Sequence, residues 1–104
     1  MFTELLAFAS IISASLTEVR GDSLVMTQTT NWQKVDALVV NLKCVSDIKS
    51  LEDVVEPGGS YTIIYKEKDK TGDIINGKVR NSQGRYVGNM LVEQGKANLV
   101  KDCY

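Results

Sequence analysis

The chain has 104 residues, 12 of them basic and 13 acidic, giving a formal charge of −1 and a pI near 5.3. That is one domain with room for a single core, and the charge balance argues against a protein that grips nucleic acid by bulk electrostatics. Histidine is absent and there are only two cysteines, which excludes Ser-His and Cys-His nucleophile pairs and a four-ligand structural zinc site.

The N-terminal run Leu5 to Ser15 is apolar but too short to span a bilayer. It is preceded by Glu4 and by no Lys or Arg, unlike the start of a secretory signal. Residues 1–9 are therefore read as a lead-in to a domain over 10–104, in a cytoplasmic protein with no membrane association. A signal peptide cut after Ser15, and hence secretion, is the alternative.

Ile11 to Arg20 alternates from Ser13 onward, with Ala14, Leu16 and Glu18 on one side and Ser15, Thr17 and Val19 on the other. Gly21-Asp22 marks a hairpin turn, and Ser23 to Thr27 is the returning strand. Thr29-Thr30-Asn31 forms a second polar turn. Ala37-Leu38-Val39-Val40 is a continuous apolar run of the kind expected for a strand buried on both faces. Ser50 stands as an N-cap three residues before Asp53, so Leu51, Val54 and Val55 give a short helix one apolar side, ended by Pro57-Gly58-Gly59.

Tyr61 to Tyr65 is the clearest strand. The charged turn Lys66 to Asp73 follows, and Ile74 to Arg80 returns from it. Val87, Met90, Leu91 and Gln94 then recur at helical spacing. Gly95 stops that helix by entering the left-handed conformation, and Ala97, Leu99 and Val100 suit a short strand. Five or more short strands, with a helix between the third and fourth, fit a five-stranded OB-type β-barrel carrying one short and one longer helix.

Several segments resemble the staphylococcal-nuclease-like domain. Val87 to Gly95 resembles that family's last helix, V-x-x-x-L-V-x-Q-G. Val19 to Leu24 resembles its V-x-D-G-D-T-L hairpin, Ala37 to Asn41 its R-L-x-G-I-D strand, and Asp69 to Asp73 its D-K-Y-G-R turn. The likeness covers roughly residues 10 to 104 and implies the same barrel. Active members of the family hydrolyse phosphodiesters with a calcium ion held by carboxylates, a glutamate acting on water, and two arginines that neutralise the phosphate. Here the resemblance places Asp22 at one metal carboxylate and Asn41 at the other. Cys44 falls at the glutamate, and Asp36 and Asp73 fall at the two arginines. Each lost donor of that kind is worth roughly 3 kcal/mol of transition-state stabilisation in comparable sites.

The resemblance therefore implies a domain without nuclease activity, without a cofactor and without a bound metal. It would bind a macromolecule, either protein or single-stranded nucleic acid, as inactive repeats in Tudor–staphylococcal-nuclease proteins do, alone or as one module of a longer chain. The alternative is an active calcium-dependent nuclease with a site rebuilt from residues such as Glu18, Asp22 and Arg85. Lys66, Lys68, Lys78, Arg80 and Arg85 are candidates for a basic edge. Trp32, with Tyr61, Tyr65 and Tyr86, offers candidate stacking platforms. The resemblance also brings Cys44 and Cys103 to the same barrel mouth, where either a disulfide or two reduced thiols fit; the cytoplasmic reading favours the thiols.

Overall fold

The computed structural model describes residues 10–30, 33–34, 37–68, 74–101 and 103. Five strands close a barrel in the spatial order β1 (Ser10–Arg20), β2 (Ser23–Thr27), β5 (Leu38–Leu42), β8 (Ile74–Asn81) and β7 (Ser60–Lys68). All neighbours are antiparallel except β5 and β8, which run parallel. This is the OB-type arrangement expected from the order of elements. Two short pairs lie outside it. β3 (Thr29–Thr30) pairs with β4 (Gln33–Lys34), so the segment read as a polar turn includes a small strand, and β6 (Val45–Ser46) pairs with β9 (Asn98–Leu99).

β1 is long enough to close the barrel. Its first half, Ser10 to Ser15, pairs with β7, and its second half, Ser15 to Arg20, pairs with β2. A cut after Ser15 would strip the barrel of its seam with β7 and remove the buried Ala14. The hairpin to β2 turns on Gly21 at φ +63, as a two-residue turn with glycine in its first central position requires.

The alternation in β1 does not run through to its end. A bulge lies between Leu16 and Glu18, so Ala14 and Leu16 face the core, Glu18 is exposed, and Val19 packs inward in its place. The extra residue slips the pleat by one position, which keeps an unpaired carboxylate out of the core. β5 also departs from the expectation of burial on both faces. Leu38, Val40 and Leu42 are buried while Val39 and Asn41 are half-buried on the outside, as in a barrel strand with one face to the core.

Leu24, Met26, Val40, Ile63 and Ile75 fill the interior with no solvent exposure. The short helix expected near Leu51 is a single 3₁₀ turn, Leu51–Asp53. Ser50 sits at φ 53 and makes no side-chain cap bond, so no capping box forms. Leu51 and Val55 still close one end of the core. The longer helix, α1 (Val87–Glu93), buries Val87 and Leu91. Its end is a Schellman motif: Gly95, at φ +72, donates to the Val92 carbonyl, and Lys96 donates to that of Leu91.

Gly77 lies opposite Tyr65, where β8 packs tightly against β7. A Cβ there would sit 2.7 Å from the Ile64 carbonyl oxygen and 3.1 Å from the Tyr65 Cβ. Since the first neighbour is backbone, relief requires the two strands to part. Gly77→Ala is expected to cost about 2 kcal/mol, the usual scale of overpacking, read as a lower urea midpoint at unchanged m-value.

Candidate functional site

Along the outer face of the barrel, Ser23 on β2, Asn41 on β5 and Asn76 on β8 stand side by side through the registers Ser23↔Asn41 and Asn41↔Asn76. The Ser23 hydroxyl donates to the Asn41 carboxamide oxygen. This joins two neutral groups and leaves Asn41 Oδ1 engaged within the protein. Asp22 is exposed in the adjoining hairpin turn. Asp36 and Asp73 lie outside the described residues, so of the five positions assigned by resemblance, Asp22, Asn41 and Cys44 can be described.

The residues offered for a rebuilt site are not gathered at one place. Glu18 pairs with Arg20, both exposed. Arg85 pairs with Glu93 at 2.8 Å, and its backbone carbonyl accepts from Asn81 at the far end of β8. Asn76 to Asn81 is five residues, roughly 16 Å of strand, so Arg85 is remote from Asp22 and Asn41.

The basic edge is only partly assembled. Lys66, Lys78 and Arg80 project to the outer face of the β7–β8 hairpin, alternating with the buried Tyr65, Gly77 and Val79. Arg85 is committed to Glu93. Lys68 ends β7, and its side chain and Trp32 lie outside the described residues. Tyr61 and Tyr65 are both core residues at 6% and 8% exposure, because they share strand parity with Ile63. Neither can stack on a base, whereas Tyr86 is half-buried at the surface.

The feature that sequence reasoning missed lies just past Leu42. Lys43 continues the ladder by donating its N–H to the Gly77 carbonyl. Cys44 then takes a left-handed backbone at φ 73 and swings the chain into β6. β6 carries β9 beside it with Val45 opposite Leu99, and Val100 donates to the Cys44 carbonyl at 3.0 Å. Cys44 and Cys103 are joined by a disulfide with a Cα–Cα distance of 5.4 Å. Of the two states left open by the sequence the structure therefore has the bond, not the free thiols. α1 closes the other side, where Gly88 brings its backbone up to Val45; a Cβ there would lie 3.3 Å from Cγ1 of that residue.

Between β8, α1 and the β6–β9 pair lies a groove of about 370 Å³. Its described lining contains Lys43, Lys78 and Lys101, with Tyr86, Asn89, Val45, Leu99 and Val100, and it includes no Asp or Glu. The signal in the sequence was the pair Cys44 and Cys103: once they join, the segments flanking both border one groove. No group of three or more metal-ligating side chains occurs among the described residues, and none of their helices is long and apolar enough to cross a membrane. The chain matches no protein-family model, and no curated protein sequence is significantly similar to it.

Proposed function

We propose that this chain is a staphylococcal-nuclease-like barrel that does not cleave phosphodiesters and serves as a binding module for a macromolecule. The observation that carries the reading is the bond on Cys44. On the proposed correspondence Cys44 occupies the position of the family's glutamate, and a half-cystine can neither take a proton from water nor ligate a metal as thiolate. The Asn41–Ser23 hydrogen bond supports it, since a neutral amide already bonded within the protein is a poor substitute for a calcium carboxylate. The retained barrel order supports an inherited scaffold, and function is then argued from the site rather than from the fold.

The disulfide also bears on location. Such bonds persist in oxidising compartments and are rare in the cytosol, so an oxidising compartment is favoured over the cytosol, although not through a cut after Ser15, since Ser10 to Ser15 pair with β7. The negative net charge favours a protein partner over a polyanion.

The test is direct. Plasmid and single-stranded DNA are incubated with the oxidised protein in calcium and in chelator, and no calcium-dependent cleavage is expected. Chelator-sensitive cleavage that disappears in Asp22→Ala would overturn the reading.

A further inference from the structure

We infer that the Cys44–Cys103 disulfide is a redox latch. It pins a strap running from Asn98 to Cys103 against β6, and its reduction by a dithiol frees that strap while the barrel and α1 stay folded. The inference goes beyond the binding-module reading and does not depend on it.

The strap has a definite point of departure. Gly95 and Lys96 are tied to the end of α1 by N–H bonds to the Val92 and Leu91 carbonyls, and Ala97 is buried. From there Asn98, Leu99, Val100 and Lys101 are all exposed, Leu99 at 64%. Their release therefore gives up little apolar burial. The five barrel strands close on one another without any residue of the strap. The fully buried core comes from those strands, the stretch Leu51 to Val55, α1 and Ala97.

The strap is tied down by bonds at or near the surface. β9 pairs with β6 over two residues on each side, too short a ladder to persist alone. The Asn98 side-chain amide donates to Asp47 at 2.8 Å, and the Val100 N–H donates to the Cys44 carbonyl at 3.0 Å. Water competes for the same groups, so each such bond contributes little. The disulfide is the strap's covalent hold.

The segment beneath it favours opening. Cys44, Asp47 and Ser50 all have positive φ, at 73, 54 and 53, a costly conformation for residues with side chains. Cys44 and Asp47 are both partners of the strap, so both are freed to relax when it leaves. Both half-cystines are only half-buried, within reach of a small dithiol. The dithiol's thiolate attacks one sulfur and displaces the other, and its second thiol then closes on the first. Two electrons and two protons pass to the protein, which gains two thiols, and the reductant leaves as a disulfide. Leu99, Val100, Lys101 and Cys103 line the groove described above, so the reduced protein lacks that wall of it.

Amide hydrogen exchange by NMR on the full chain tests this. It is measured on the oxidised protein, after reduction by dithiothreitol without denaturant, and after reoxidation, with free thiols counted by mass after alkylation. On reduction the Val100 amide is expected to exchange at least about tenfold faster. The amides of β7 and β8, and that of Lys96 at the end of α1, should stay protected at least about a hundredfold relative to free chain. Reoxidation should restore Val100 to its first rate. Cys44→Ser with Cys103→Ser should reproduce the reduced pattern without reductant. A Val100 amide equally protected in the oxidised and reduced chain would overturn the proposal. Loss of protection in β7 and β8 together with Val100 would also overturn it, by showing that the bond holds the whole fold rather than the strap. So would a bond that resists dithiothreitol without denaturant, or a strap that does not close again on reoxidation.

Discussion

Replacing Cys44 and Cys103 together by serine is expected to lower stability by about 4 kcal/mol. The bond spans a sequence separation of 59, and a cross-link closing a loop of that length removes roughly this much chain entropy from the unfolded state. For a domain of this size about 4 kcal/mol corresponds to a fall of about 20 °C in melting temperature. It is also a large part of the roughly 5–15 kcal/mol that holds a small domain together. The native state loses as well. Cys44 has a left-handed backbone at φ 73, an unfavourable conformation for a residue with a side chain, and without the cross-link nothing covalent holds it there. Thermal melts with and without reductant should therefore differ for the natural chain and coincide for the double serine variant. Coincidence for the natural chain would show that the bond contributes nothing to its stability.

The barrel was legible because its signals are local and agree with one another. Alternation through Ala14 and Leu16, a glycine-led hairpin at Gly21, and the β-rich run Tyr61 to Tyr65 each specify a strand from a handful of residues. Gly95 marks the end of α1 for a reason confined to one residue's φ. The departures all arise where tertiary context decides. The bulge after Leu16 depends on keeping Glu18 out of a core assembled from other strands. The 3₁₀ turn replaced a helix because Ser50 takes a left-handed conformation that its sequence neighbours do not dictate. The β6–β9 pair is two residues long on each side, too short for any periodicity to announce it.

The candidate site was much less legible. Lys78 appeared in the basic edge, but Lys43 and Lys101 did not, because they lie far apart in sequence and meet only through a long-range disulfide. The tyrosines erred in the other direction. Aromatic content suggested stacking surfaces, while strand parity with Ile63 places both Tyr61 and Tyr65 inside. Inward or outward direction follows from parity once a strand is known, so that part was available. The grouping of lysines was not, since it depends on which loop ends the topology brings to one mouth.

Leu91→Ala is the other change expected to have a large effect, and it connects the core to the groove. α1 has seven residues, an N-cap at Tyr86 with no side-chain cap bond, no acid in its first turn and no base in its last. A helix so short is unstable in isolation, so α1 persists because Val87 and Leu91 are buried at 0% exposure. Truncating Leu91 removes three side-chain carbons from a closed core and should cost about 3 kcal/mol, within the range for buried leucines. Leu99→Ala, at 64% exposure, should change stability by less than about 0.5 kcal/mol. Urea titrations of the two variants make the comparison. Because α1 and its N-cap supply Gly88, Asn89 and Tyr86 to the groove wall, Leu91→Ala should also speed amide exchange in α1 ahead of the barrel strands. Equal urea midpoints for Leu91→Ala and Leu99→Ala would mean that α1 is not anchored through Leu91, and the groove would then lack a fixed wall on that side.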